Sequence, residues 1–315
     1  MSCEWKRMKK ARLLSLIAIF AALNVVCDSI GGLSIFEYGV WWSLIFLVVP
    51  YGEASGYPRG VAVEELIAWM DASGVMQAVV LPLESPECDT EYAPSAQAWE
   101  LCSRFPDRLI PFVGADPRQQ QVLDKVRHYH GRGAKGYGEH KCGLAMDDER
   151  SMAVYRLCGE LRLPVLFHMD PGLNSDEAGL PGLERALREA PETNFIAHGP
   201  GWWTAISGDD DRAGGYPSGA ISPGGAADRL LSECPNLYAE ISAGSGNNAL
   251  TRDPGFTEGF LARHWRKLLF GSDYFLVGQK VPQVEWLRTY PMPEEWREAI
   301  GWRNAKRLLG TAEGS

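Results

Sequence analysis

Three short apolar runs in the second half of the chain each finish on one ionisable side chain: PVLFH (164–168), NFIAH (194–198) and LLFGSD (268–273). Runs of four or five apolar residues between turn residues suit strands buried on both faces, which belong to parallel sheets covered by helices. The spacing predicts helices over 63–72, 95–104, 118–130, 152–163, 183–190, 227–234 and 257–264. Each is followed by a strand: 77–83, 109–113, 134–138, 164–168, 194–198, 236–241 and 267–273. Residues 293–309 read as a closing amphipathic helix. Such alternation means βαβ units. Seven strands follow residue 76, so an eighth must precede the helix at Val63, and residues 43–50 are the candidate, degenerate in sequence. Eight strands and eight helices fit a (β/α)8 TIM barrel of ~250 residues, whose strand ends face one pocket at the carboxyl rim. His168, His198 and Asp273 are therefore expected to converge, although any one of them alone reads as an ordinary structural residue.

The formal charge of −9 excludes a nucleic-acid surface, which needs clustered Lys and Arg. Seven scattered Cys without a Cys-x-x-Cys pair predict reduced thiols and a cytoplasmic protein. Residues 1–50 differ in kind from residues 51–315, the expected barrel. Lys6, Arg7, Lys9, Lys10 and Arg12 precede an apolar run over 13–26, and a second run covers 40–49. A basic leader before a short apolar core suits a signal peptide, and the core falls short of the ~20 residues that span a bilayer. The segment KKARLLSLIAIFAALNVVCDSIGG resembles the opening helix of substrate-binding membrane subunits of energy-coupling-factor transporters. Membrane association through residues 13–49, an uncleaved leader, a fusion remnant and a buried hydrophobic arm all stay open.

The remainder resembles the metal-dependent amidohydrolase superfamily, in the branch of aminocarboxymuconate-semialdehyde decarboxylase relatives. The likeness rests on GAKGYGEHK (133–141), PVLFHMD (164–170), NFIAHGPGWW (194–203), LYAEIS (237–242), LLFGSDY (268–274) and GWRNAKRLL (301–309). It implies metal ligands at His168 and Asp273, with His198 polarising substrate or carrying a proton and Asp273 acting as general base. Imidazole and carboxylate ligands suit a divalent ion, Zn²⁺ first, which brings the pKa of bound water toward neutrality. Glu139 is a plausible further metal ligand, and Lys135 could pair with it or bind an anionic substrate group; a solvated ion pair explains the two equally well. Glu240 could orient a ligand or be a buried carboxylate without function. The Gly- and Pro-rich stretch between His198 and Ala226 reads as a lid, with Trp202 and Trp203 as pocket wall or as packing.

One element of the superfamily pattern is missing. A His-x-His pair should end strand one, yet no His precedes His128, and Val48 and Pro50 occupy the expected positions. His128 and His130 have the right spacing but sit on the helix before strand four, at the wrong end of a barrel. The expected function is metal-dependent hydrolysis of a small organic acid, lactone or amide, impaired by the missing pair. Decarboxylation by the same site, or an inactive membrane-associated barrel that binds a ligand, are the alternatives. The partner is a small molecule, and self-association is open.

Overall fold

The structure, a computed structural model, describes residues 41–45, 61–91, 93–212 and 215–310. Eight parallel strands follow one another in chain order. The first three, β1 (Trp41–Ile45), β2 (Val75–Val80) and β3 (Leu109–Pro111), pair as one sheet. The other five pair as a second: β4 (Tyr137–His140), β5 (Val165–His168), β6 (Phe195–His198), β7 (Leu237–Glu240) and β8 (Leu268–Leu269). A parallel bridge from Val113 to Tyr137 joins the two sets, with Val113 N–H donating to Gly136 and Gly138 N–H to Val113.

Helices separate the strands: α1 (Val63–Ser73), α2 (Ser95–Arg104), α3 (Val122–Gly131), α4 (Glu149–Glu160) and α5 (Pro181–Glu189) precede β2 to β6. Then come α6 (Pro200–Thr204), α7 (Ala226–Glu233), α8 (Ala243–Thr251) and α9 (Pro254–His264), and after β8 α10 (Pro282–Thr289), α11 (Glu294–Glu298) and α12 (Asn304–Leu308). This is the expected (β/α)8 arrangement. Alternation along the strands sorts the side chains into two cores. Leu166, Ile196 and Leu269 join Val79, Leu81, Ile110 and Phe112 inside the strands. Val165, Phe167, Phe195 and Ala197 face the helices.

Several boundaries differ from expectation for definable reasons. β1 begins at Trp41 and pairs residue by residue with β2, from Trp42 opposite Gln77 to Ile45 opposite Val80. Residues 41–45 thus belong with the barrel rather than with the apolar segment, while residues 46–60, including the positions of the missing His pair, lie outside the described residues. β4 starts at Tyr137 instead of Ala134. β8 is only two residues long because Phe270 N–H donates to Ile300 of the C-terminal segment, 2.8 Å away. To present that carbonyl the closing helix widens into a π turn at Ala299–Arg303, so one expected helix becomes three pieces.

Among the described residues no helix is long and apolar enough to cross a membrane. Apart from Trp41–Ile45, the stretch 13–49 lies outside the described residues. The Cys residues described, 88, 102, 142, 158 and 234, are all free thiols.

Candidate metal and active site

β4, β5 and β6 are neighbours, and His168 and His198 are paired directly opposite each other. Both inherit the inward face from Leu166 and Ile196, two residues upstream. β4 reaches the same face by a different route. Its ladder to β5 shifts register between Tyr137 and His140. Simple alternation would put Tyr137 and Glu139 on one face. Instead Tyr137 and His140 both lie against Tyr155 of the helical layer or one another, and Glu139 turns to His168.

Nδ1 of His168 lies 3.1 Å and Nε2 of His198 4.0 Å from Oε1 of Glu139. One donor atom from each residue falls within 4.8 Å of the other two. Glu139 is 4% exposed, and neither of its oxygens, nor Nδ1 of His168, has a hydrogen-bond partner among the described residues. A buried carboxylate without donors is costly and demands an explanation. Burial pushes Glu139 up, but the charge of Lys141 together with His168 and His198 outweighs it and holds the group below its usual range. An ionised, unbonded carboxylate facing two imidazoles fits a divalent cation.

The imidazoles are braced from behind. Glu240 takes a short hydrogen bond from Nδ1 of His198 and is itself held by Ser242, whose N–H and hydroxyl each donate at 2.9 Å. That fixes Nε2 of His198 as the atom facing Glu139. Burial alone would lower His198; the charge and hydrogen bond of Glu240, with Glu139 and Asp273, reverse this and raise it to about 9. A cation at Nε2 would compete with that proton, so its binding would strengthen as pH rises. Across the pocket, Oδ2 of Asp170 lies 3.0 Å from Nε2 of His168, while Oδ1 accepts from Gly172 and Leu173. Asn174 donates to the carbonyls of both His140 and His168, at 2.6 and 2.7 Å, tying the ends of β4 and β5 together.

Asp273 lies on the loop after β8 with φ of 50°, in the left-handed region that Asp tolerates. Burial, with the charges of Glu139 and Glu240, drives it up to about 8 against the pull of His198 and Lys141. It therefore shares the electrostatics of the pocket, while the three mutually close donors are Glu139, His168 and His198.

The remaining expectations are corrected. Lys135 precedes β4 and is exposed at the amino-terminal rim, the end opposite Glu139, so it can neither pair with Glu139 nor meet a substrate there. Trp202 and Trp203, on α6, are 0% and 2% exposed. Trp203 donates to the Glu240 carbonyl and packs on Phe260, so the pair is core rather than pocket wall. Glu240, 1% exposed, positions His198 from behind. Asp170, Asn174 and Lys141 were missed. The His-x-Asp spacing of 168–170 was the available signal for Asp170; Asn174 had none.

The family model described as Amidohydrolase matches residues 51–311. None of the curated proteins compared with the chain matches it. Among solved structures, an uncharacterized TIM-barrel protein from Bordetella bronchiseptica is 17% identical, with a TM-score of 0.62 over 85% of this chain and 98% of that one. A probable 2-pyrone-4,6-dicarboxylic acid hydrolase from Acinetobacter baumannii, with citric acid bound, is 14% identical, with a TM-score of 0.56 over 86% of this chain and all of that one (100%). A dihydroxybenzoic acid decarboxylase from Polaromonas sp. JS666, with manganese and the inhibitor 2-nitroresorcinol, is 14% identical, with a TM-score of 0.53 over 81% and 87%. At these identities the likeness concerns the fold.

Proposed function

The chain belongs to the amidohydrolase family, and on that premise we propose that it is a metal-dependent hydrolase of a small organic acid, lactone or amide. The observation that carries this reading is the buried, unbonded carboxylate of Glu139 beside His168 and His198. These three residues would hold the ion. Bound there, a divalent ion would supply the Lewis acidity that brings the pKa of water toward neutrality and polarises a carbonyl.

The chain's own groups supply the rest. Glu240 and Ser242 keep His198 in one orientation, and Asp170 does the same for His168. Asp273 would be the acid–base residue: its carboxyl, raised to about 8 by burial, lies close enough to neutrality to take a proton from water and return it to the leaving group. Lys141, two residues beyond Glu139, places positive charge close enough to act on both Glu139 and Asp273, and so suits an anionic substrate.

Decarboxylation is the second reading, favoured by the burial that raises the Asp273 carboxyl to about 8 and so suits it to hand a proton to carbon. Elemental analysis of the purified chain, followed by product assays on lactones, amides and aromatic acids, tests both. The expected result is a bound divalent ion, lost in Glu139→Gln, and water-dependent turnover. Release of CO2 without hydrolysis selects the second reading, and failure of the wild type to retain any divalent ion overturns both.

A further inference from the structure

The opposite rim of the barrel carries a second charged concavity. A cleft of about 490 Å³ opens among the amino-terminal ends of β4, β5 and β6 and the last turn of α12. Its charged lining is Lys135, Arg162 and Arg307 against a single acid, Glu192, with His130 at its edge. In a chain of net charge −9 this is a local excess of positive charge. No carboxylate within ion-pair distance neutralises Lys135, Arg162 or Arg307 among the described residues, Glu192 included. Arg307 spends one nitrogen on the Arg266 carbonyl and Asn304, which fixes its guanidinium at the mouth of the cleft. Arg162, exposed, stands in the turn between α4 and β5 with φ of 57°.

We propose that this cleft binds a small molecule bearing a doubly charged anionic group, a phosphate or a dicarboxylate, at a site separate from the metal pocket. The volume is that of an ordinary small-molecule site, and two guanidinium forks with an ammonium are the usual recognition set for such groups. Separation from the metal pocket follows from the strands. Lys135, Leu163 and Asn194 stand before β4, β5 and β6, whose far ends carry Glu139, His168 and His198, a strand length of ~13 Å away. The inference does not depend on the proposed reaction.

Calorimetric titration of the full chain with inorganic phosphate and, separately, with succinate at constant ionic strength tests it, and the two arms distinguish the sources. One saturable site for either anion is expected, weakened about tenfold by Lys135→Gln and again by Arg162→Gln, the loss due to one charge-assisted contact. Both side chains are exposed, so the fold should survive, which thermal unfolding of each variant verifies. His168→Ala should leave the binding unchanged. Absence of saturable binding below ~10 mM, equal binding by the charge-removed variants, or loss of binding in His168→Ala would each overturn the proposal.

Discussion

Glu240 braces His198 from behind, so its removal should be felt at the metal. Partners of ligating imidazoles typically contribute 10–100-fold to metal affinity, so Glu240→Gln should weaken the ion by about that much, read by chelator competition. Unchanged affinity would mean that His198 is not a ligand. Gly271 guards the same contact. A Cβ there would lie 1.9 Å from Oε2 of Glu240 and 2.8 Å from Cβ of Ser242. Gly271→Ala must displace one of them, at about 1–3 kcal/mol as overpacking usually costs, and urea unfolding should show it together with a loss of bound metal. Wild-type stability in that variant would contradict the packing described. The linear sequence made His168, His198, Glu139 and Asp273 visible because each ends or directly follows an expected strand. It could not separate Glu139, aimed at the pocket, from Lys135, aimed away, since both belong to the same charged run.

At the scale of elements, the strand ends matter more than the strands. Asn174 sits in the loop after β5, fully buried, and donates to carbonyls at the ends of β4 and β5. Asn174→Ala leaves those groups unpaired at about 1–3 kcal/mol, and because the carbonyls belong to His140, next to Glu139, and to His168 itself, apparent metal affinity should fall with stability. Retention of both would refute the tie. Helix and strand order was legible from apolar periodicity alone. The Trp pair was not, because a Trp on a short helix after a glycine turn can face a pocket or a core equally well, and only the packing of Phe260 decides. The register shift in β4 was likewise invisible, because alternation is counted along one strand whereas a shift is defined against its neighbour.

Over the whole molecule, two consequences can be measured. His140, 1% exposed behind β4, is pushed down to about 4 by burial against an ordinary value near 6.5. Its folded-state pKa is the lower one, so below about 6.5 the unfolded chain takes up a proton that the fold refuses. Its contribution is complete above that value and is lost as pH falls toward 4, by up to about 3 kcal/mol. Denaturant unfolding from pH 7 to pH 4.5 should show this slope, and His140→Phe should flatten it. The second consequence concerns β1. A chain begun at Tyr51 lacks Trp41–Ile45 and leaves β2 as an open edge. It should be less stable than the full chain and prone to associate; a monomer of unchanged stability would argue that β1 is dispensable.

Periodicity and residue type determined the eight-stranded parallel architecture and the residues able to carry metal chemistry, because burial on both strand faces and ligand softness are local properties of the chain. Which side chains share a cavity was decided only by tertiary structure. The register of β4, the brace of Glu240 and Ser242 behind His198, and the opposite placement of Lys135 and Glu139 all depend on what the neighbouring strand presents, and no spacing along a single chain encodes that.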